Sequence, residues 1–407
     1  MTCGLLGHKL AHSYSPAIHA EFGGYEYELF EIEPKNLKDF FANKNFHGIN
    51  VTIPYKKAVM EFCNEISPVA QEIGSVNTVL RRPDGSYFGD NTDAEGFLKM
   101  TKFFSVKGKK VCIFGSGGSS LSVSYVMNRL GASEIIVVSR QNNNAEFLAH
   151  HKDAAVLVNC TPVGMYPDVD ESPVSLDIFT KPEGVLDLIY NPARTRLMID
   201  AQERGIPNIG GLTMLVGQAA VSSEIFTGRV IGENEIASVV KKLRRETENI
   251  ILIGMPGSGK TTHAKIISEK LNKTFIDTDE EIMKLCKCAI PEIFASKGEA
   301  FFREKEAAVI AEFGKKSGLV IATGGGVVTR EENFLRLHQN GVIIFTERDI
   351  NLLSREGRPL SQGDLTKMYE NRLPMYRRFA DITVSADGNP AQVAQKILEE
   401  IYANYCN

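Results

Sequence analysis

The sequence predicts an α/β protein of two or three domains built on parallel sheets. Three observations carry that prediction. Short β-rich apolar runs alternate with helical stretches, as strand–helix–strand units require. Two such runs pass straight into glycine-rich turns, at Lys109–Gly118 and Asn249–Lys260. At about 150 residues per domain, 407 residues give roughly 2.7 domains.

Composition narrows the class. Hydrophobic residues are 43%, charged residues 24%, and the net charge is −4, which excludes a disordered, collagenous or coiled-coil chain. With 46 basic and 50 acidic residues there is no general basic surface for nucleic acid or an anionic membrane. No apolar run reaches the length of a membrane span. The start, Met1 to Lys9, has no basic lead before a long apolar run, so no signal peptide is expected. The seven cysteines are scattered, odd in number and without zinc spacing, which suits reduced thiols in a cytoplasmic protein. The charged stretch Lys241–Glu248, a helix end or a linker, marks the expected boundary between two enzymatic halves.

The second half is the more explicit. Gly254-Met255-Pro256-Gly257-Ser258-Gly259-Lys260-Thr261-Thr262 follows a buried-strand pattern and matches the phosphate-binding loop. Glycines let backbone N–H groups turn in around phosphate oxygens, and the helix that follows adds its positive end. Lys260 is placed to neutralise the β and γ phosphates of ATP or GTP, and Thr261 to ligate Mg²⁺. Phe275-Ile276-Asp277-Thr278-Asp279 reads as a strand ending in two carboxylates on one face, one for the metal and one for an acceptor hydroxyl. Farther on come Gly298–Glu304 with Arg303, the turn Gly324-Gly325-Gly326, Arg358-Pro359-Leu360, and Arg372-Leu373-Pro374. Single arginines usually belong to the surface, but the three spaced among these other signals, Arg303, Arg358 and Arg372, point to anion binding.

This ordered set resembles shikimate kinase over residues 249–400. The resemblance implies a P-loop domain of the nucleoside-monophosphate-kinase type. It places Gly254, Gly257, Ser258, Gly259, Lys260, Thr261, Thr262 and a lid residue, Arg358, on ATP. It also implies Thr261 and Asp277 for Mg²⁺, Asp279 as the catalytic residue on the shikimate hydroxyls, and Arg303 and Arg372 on the carboxylate. Gly324, Gly325 and Gly326 then let backbone approach the ring. The lid segment 354–358 is shorter than in many relatives, which leaves Arg355 without an assigned role.

In the first half, Gly115-Ser116-Gly117-Gly118 lies between a strand and a helix, a dinucleotide-binding pattern that is weak alone. The next strand, Glu134–Val138, ends in Ser139-Arg140, and an arginine there suits a 2′-phosphate, hence NADP. A solvated turn residue is the plain alternative. Other short signals are His12-Ser13-Tyr14-Ser15-Pro16, whose ordinary reading is helix capping by Ser15, and Gly48–Lys56, where a surface lysine is the usual outcome. The segments Gly74–Thr78, Gly89–Gly96, Asn159–Met165, Asp187–Pro192 and Gly211–Ala219 complete the set.

In this order they resemble shikimate dehydrogenase over residues 3–243. The resemblance implies a catalytic pair, Lys56 and Asp93. It puts Ser13, Ser15, Thr52, Asn77, Tyr190 and Gln218 on the substrate, and Gly115, Gly117, Gly118, Arg140, Thr161, Gly211 and Met214 on NADP. Hydride delivery to the C3 carbonyl of 3-dehydroshikimate leaves an alkoxide that needs a proton donor and a positive charge, and Lys56 offers both. The implied domains are a discontinuous substrate-binding domain (1–93 and 210–243), a Rossmann-type NADP domain (94–209) and the kinase (249–407). Only about fifteen residues follow Arg140 before the next strand, so the Rossmann domain is expected to be abbreviated. Gln141–Asn144 also lacks the second basic residue that often completes the NADP clamp.

The expected function is successive reduction of 3-dehydroshikimate with NADPH and phosphorylation of shikimate with ATP and Mg²⁺. Two other readings remain at this point. One is a quinate or broad-specificity polyol dehydrogenase beside a small-metabolite kinase. The other is a non-catalytic regulator, which retention of Lys56, Asp93, Lys260, Asp279 and Arg303 disfavours.

Overall fold

The computed structural model describes residues 1–10, 13–43, 45–353 and 365–404. Among these residues, three sheets each carry their own core. The chain divides into two compact units. The first takes Met1–Met165, Glu171–Tyr190 and Leu197–Lys242; the second takes Tyr166–Asp170, Asn191–Arg196 and Leu243–Asn407.

The first unit holds two sheets. One comprises β1 (Thr2–Gly7), β2 (Glu26–Glu31), β3 (Gly48–Val51), β4 (Glu65–Ile66), β5 (Thr78–Arg81) and β6 (Tyr87–Asp90), in the order β2-β1-β3-β5-β6-β4. It is mixed: β1 pairs in parallel with β2 and β3, and β5 runs antiparallel to β3 and β6. Helices α1 (Ser15–Phe22), α2 (Leu37–Asn43) and α3 (Pro68–Ile73) belong to this region. Next, α4 (Thr92–Met100) leads to an all-parallel sheet of β7 (Lys110–Phe114), β8 (Glu134–Val138), β9 (Val156–Asn159), β10 (Gly184–Asp187) and β11 (Asn208–Gly210), ordered β11-β10-β9-β7-β8. The central strands β7, β9 and β10 are apolar runs buried on both faces, as parallel strands between helical layers must be.

Helix α5 (Gly118–Arg129) opens at the glycine-rich turn. Between β8 and β9 the crossover is the six-residue α6 (Ala145–His150), which accommodates the short spacing after Arg140. The asparagines that stand there instead of a basic residue shape the turn. Asn142 Oδ1 accepts from Ser139 N at 2.6 Å, and Asn144 caps α6 through Phe147 N. After α7 (Arg196–Glu203), the chain forms α8 (Leu212–Thr227). α8 packs closely on α4 because Gly96 has no side chain: a Cβ there would meet Met214 O at 2.6 Å and Gln218 N at 2.9 Å.

The charged stretch Lys241–Glu248 is not a linker. All but its last residue lie in α9 (Glu233–Thr247), and β12 (Asn249–Ile253) starts two residues after that helix ends. The acidic first turn and basic last turn of α9 suit its helix dipole.

The sheet of the second unit is all parallel, ordered β13-β14-β12-β15-β16. Its further strands are β13 (Thr274–Asp277), β14 (Leu319–Ala322), β15 (Gly341–Glu347) and β16 (Ile382–Ser385). Its helices are α10 (Lys260–Leu271), α11 (Thr278–Cys286), α12 (Ile290–Gly314), α13 (Glu331–His338), α14 (Leu365–Phe379) and α15 (Pro390–Asn404). α12 bends at Gly298, whose φ of 79° and ψ of 173° no helix adopts. The two segments from earlier in the chain are tied in by hydrogen bonds. Arg194 donates from Nε to His338 O (2.8 Å), from Nη2 to Gly341 O and from its backbone N to Gln339 O (2.9 Å). Gln339 Nε2 donates to Val169 O, and Ala193 N to Asn340 Oδ1. Among the described residues no helix is long and apolar enough to cross a membrane.

Candidate active sites

In the first unit, Lys56 follows β3 and Asp93 sits in the first turn of α4. Lys56 Nζ lies 2.5 Å from Asp93 Oδ2, and both side chains are largely buried. Asn77 Nδ2 donates to the other oxygen, Oδ1, at 2.8 Å. Lys56 thus carries a positive charge held in place by a carboxylate, with two further N–H groups free in geometry to serve another partner.

The glycine-rich turn comes close to this pair. Gly115 has φ 109°, and a side chain there would press on the Cys160 backbone at 3.0 Å and the Thr161 methyl at 3.2 Å. Above Gly117 the space is open, and at Gly118 the nearest atom to an added Cβ would be Lys56 Cδ, 3.7 Å away. An open turn at the start of α5 suits a dinucleotide pyrophosphate, and Lys56 is its neighbour.

Thr161 belongs to a loop held from below. Its N and Oγ1 both donate to Asn159 Oδ1 (2.9 and 2.7 Å), while Asn159 Nδ2 donates to the fully buried Asp187. Gly211 donates to Ile189 O, and Met214 is buried in α8 against α4. Arg140 is exposed just past the end of β8.

Of the expected substrate residues, Ser15 and Gln218 are buried and Ser13 is half-buried. Thr52 packs its methyl toward Gly7, and Tyr190 stands against Tyr14 with ring centroids 5.1 Å apart. Burial pushes the Tyr190 hydroxyl up. Capping of α1 does not follow the ordinary reading: Tyr14 occupies the N-cap and makes no side-chain cap. Ser13 Oγ, not Ser15, accepts the free Ser15 N–H, at 3.2 Å.

The second unit carries a cleft of about 280 Å³. Its lining brings Gly257, Gly259, Lys260, Thr261 and Thr262 together with Asp277, Asp279, Arg303, Gly324–Gly326 and Arg372. Gly257 and Gly259 have φ of 89° and 91°, a backbone shape that only glycine adopts without strain. Lys260 Nζ donates to Gly254 O and Met255 O, both at 2.9 Å, across the arch of the loop. Ser258 is fully buried, with Oγ 3.1 Å from Thr346 Oγ1. Thr261 Oγ1 donates to Asp277 Oδ2 at 2.8 Å, an oxygen pair fitting for a hard cation such as Mg²⁺.

The two carboxylates do not share a strand. β13 ends at Asp277, whose Oδ1 accepts Asp279 N at 3.0 Å and so caps α11. Asp279 is in the first turn of that helix and reaches the cleft from there. An aspartate ending a strand before a helix-forming run is a cap, and capping overrides the strand alternation.

Arg303 is gripped by Glu306 (2.8 Å) and Glu299 (3.1 Å). Glu306 is fully buried, its Oε1 has no hydrogen-bond partner among the described residues, and burial pushes its carboxyl up. A Cβ at Gly326 would overlap the Arg303 guanidinium, and one at Gly324 would lie 2.8 Å from Asp279 Oδ1. The glycine turn therefore makes room for the two side chains opposite. Arg372 donates to Gly325 O at 3.1 Å, as does the Tyr376 hydroxyl at 2.5 Å. Arg355 and Arg358 lie outside the described residues.

A model of the shikimate dehydrogenase substrate-binding domain matches residues 5–79, and a shikimate kinase model matches residues 256–402. The NADP⁺ shikimate dehydrogenase of Methanopyrus kandleri is 40% identical over 260 residues, 55% of this chain and 89% of that one. The chain belongs to the shikimate dehydrogenase family. Among solved structures, a chorismate mutase/shikimate 5-dehydrogenase fusion from Clostridium acetobutylicum is 37% identical, with a TM-score of 0.56 over 60% of this chain and 96% of that one. Shikimate 5-dehydrogenase of Thermus thermophilus, solved with NADP(H) and shikimate, is 31% identical, with a TM-score of 0.54 over 60% and 99%. Beyond that shikimate dehydrogenase part the chain carries a shikimate kinase domain. It is a bifunctional shikimate-pathway enzyme, an NADP-dependent oxidoreductase joined to an ATP- and Mg²⁺-dependent kinase.

Several residues of these sites carry no motif of their own. Glu306 is the plainest: its i, i+3 spacing from Arg303 is visible, but its burial is not. Phe294 and Phe302 line the kinase cleft. Asn159 and Asp187 support the Thr161 loop of the dehydrogenase part, and both stood in segments quoted above for other residues.

Proposed function

We propose that Lys56 and Asp93 reduce 3-dehydroshikimate in the first unit, and that the cleft of the second unit phosphorylates the resulting shikimate at its 3-hydroxyl. The domain assignment that goes with this is substrate binding by 1–93 and 210–243, NADP binding by 94–209, and phosphoryl transfer by 249–407. When bound, NADPH supplies the hydride and ATP with Mg²⁺ the phosphoryl group. One observation in each unit carries the reading: the 2.5 Å Lys56–Asp93 pair beside the Gly115–Gly118 turn, and the phosphate loop lining one cleft together with Asp279, Arg303 and Arg372.

Lys56 donates a proton to the oxygen that hydride addition leaves negative, and its charge stabilises that oxygen beforehand. Asp93 keeps the ammonium aimed and shares its proton. Ser13, Ser15, Thr52, Asn77, Tyr190 and Gln218 orient the carboxylate and hydroxyls. Gly115, Gly117, Gly118, Thr161, Gly211 and Met214 hold the cofactor, with Arg140 on its 2′-phosphate. In the kinase, Gly254, Gly257, Ser258, Gly259 and Thr262 present backbone to phosphates that Lys260 neutralises, and Thr261 with Asp277 holds the metal shell. Asp279 fixes the acceptor hydroxyl, while Arg303 and Arg372 take the substrate carboxylate in planar forks. Gly324–Gly326 let the ring approach. We place the enzyme in the cytoplasm, acting on small anions rather than on nucleic acid or membrane, in keeping with its near balance of 46 basic and 50 acidic residues.

The test is a coupled assay with the purified full chain: 3-dehydroshikimate and NADPH, then ATP, following both NADPH loss and shikimate 3-phosphate. Absence of shikimate-dependent ATP turnover would sink the kinase reading, and quinate-only oxidation would sink the dehydrogenase one.

A further inference from the structure

Beneath the Lys56–Asp93 pair lies a closed set of polar side chains to which the mechanism above gives no role. Asn50 comes from β3, Thr78 from β5, Thr92 from α4 and Ser222 from α8, with Asn77, the residue before β5, above them. None is more than 4% exposed.

Their hydrogen bonds have a fixed polarity. Asn77 Oδ1 accepts the Thr92 backbone N–H at 2.7 Å and faces the hydroxyls of Thr78 (3.1 Å) and Thr92 (3.2 Å). A backbone N–H can only donate, so the amide cannot turn over without setting two donors face to face. Asn77 Nδ2 must therefore point at Asp93 Oδ1, which becomes an acceptor. Any proton the carboxyl carries is then favoured on Oδ2, the oxygen beside Lys56 Nζ.

Ser222 is the hub of this arrangement. Its hydroxyl donates to Gln218 O at 2.9 Å, which commits its one proton. It can then only accept, with room for two donors: Asn50 Nδ2 at 2.7 Å and one of the Thr78 and Thr92 hydroxyls, each 3.0 Å away, so the other hydroxyl keeps its proton for Asn77 Oδ1. Asn50 is itself oriented, because its Oδ1 accepts the Tyr27 hydroxyl at 2.8 Å. The direction of donation is thus set from the outer strand inwards, and the same serine ties down the turn of α8 that carries Gln218.

We propose that Thr78, Thr92 and Ser222 are positioning residues for the reduction. With the Thr92 backbone N–H, their hydroxyls hold the Asn77 amide in place and thereby keep the proton shared by Asp93 and Lys56 on the line between Oδ2 and Nζ. This rests on Lys56 and Asp93 being the catalytic pair.

The experiment compares Thr92→Val, Thr92→Ser, Ser222→Ala and Lys56→Ala in the full chain. It reads the pH profile of kcat for NADPH-dependent reduction of 3-dehydroshikimate, KM for that substrate, thermal stability and kinase turnover. Thr92→Val should lower kcat about 10-fold and move a limb of its pH profile by about half a unit or more, with KM changed less than about 3-fold. Thr92→Ser, which keeps the hydroxyl, should recover most of the lost rate, and Ser222→Ala should move both quantities the same way by less. Kinase turnover should stay at the wild-type value in all four. Lower thermal stability with an unchanged pH profile in Thr92→Val and Ser222→Ala would overturn the proposal and leave these as ordinary core hydrogen bonds. If Thr92→Val does not fold, Ser222→Ala decides alone by the same criterion. A fully active Lys56→Ala would overturn the catalytic pair and the proposal with it; an inactive one beside an unshifted Thr92→Val would overturn the proposal only.

Discussion

Replacing Arg303 by methionine should be costly for a reason that has little to do with substrate. Its partner Glu306 is fully buried, with Oε2 2.8 Å from the guanidinium and Oε1 unpaired among the described residues. Methionine fills much of the arginine's volume but strands the carboxylate, and breaking a buried pair in this way costs about 3–5 kcal/mol. At about 1.4 kcal/mol per factor of ten, the folding equilibrium of the second unit drops by two to three and a half powers of ten. Adding Glu306→Gln removes the stranded charge and leaves an imperfectly bonded amide, whose cost is about 1–3 kcal/mol, so the double variant should be the more stable one. The loss should also depend on pH. Burial raises the Glu306 carboxyl in the folded chain above its unfolded value of about 4.3, so the folded form is favoured at low pH and stability falls as pH rises through that value. Without Arg303 that slope steepens towards about 1.4 kcal/mol per pH unit. Urea unfolding by circular dichroism at pH 5 and pH 8 checks this, with dehydrogenase turnover reporting on the first unit. A loss under about 1 kcal/mol for Arg303→Met at pH 8, or a double variant no more stable than the single, would refute the reasoning.

Lys56→Ala should abolish NADPH-dependent reduction and leave phosphorylation near wild type, and Lys260→Ala should do the reverse by about 100-fold or more. Steady-state rates of both reactions on each variant decide it, and a joint loss in a folded variant would contradict two separate sites. Gly326→Ala puts a methyl onto the Arg303 guanidinium, so KM for shikimate should rise about 10-fold or more with KM for ATP changed little. Burial pushes His19 in the first unit and His338 in the second down to about 3. Both stay neutral when folded while the unfolded chain takes up protons below about 6.5, so stability is lost as pH falls from there towards 3. Each histidine contributes up to about 1.4 kcal/mol per pH unit, which chemical denaturation between pH 7.5 and pH 5 measures; a flat profile would contradict it.

Much of this is legible in the sequence. A buried-strand run entering a glycine turn is a local pattern, and both instances proved to be strand, turn and helix at Lys110–Arg129 and Asn249–Leu271. What escaped the sequence was decided by position in space. Asp279 looked like a strand residue because Asp277 two places before it was one, and only the capping bond to its own N–H shows the helix starting between them. Lys241–Glu248 could be read as a helix end or a linker because dense charge suits both, and the structure takes the helix end. Ser222 sits in a helix with nothing around it in sequence to mark it, and Glu306 shows only its spacing from Arg303, not its burial. Their meaning comes from which buried atoms face them, and one-dimensional spacing cannot carry that.

The second unit is not a continuous stretch of chain, and this bears on how such a fusion can be taken apart. A gene fragment starting at residue 243 would lack Val169, Ala193 and Arg194. The carbonyl oxygens of His338, Gln339 and Gly341 and the side chains of Gln339 and Asn340 would each lose a bonding partner around the turn that starts β15. Gene dissection should therefore treat the kinase as an assembly of three pieces of polypeptide: excised at its apparent start, it would expose a seam that the intact chain keeps sewn.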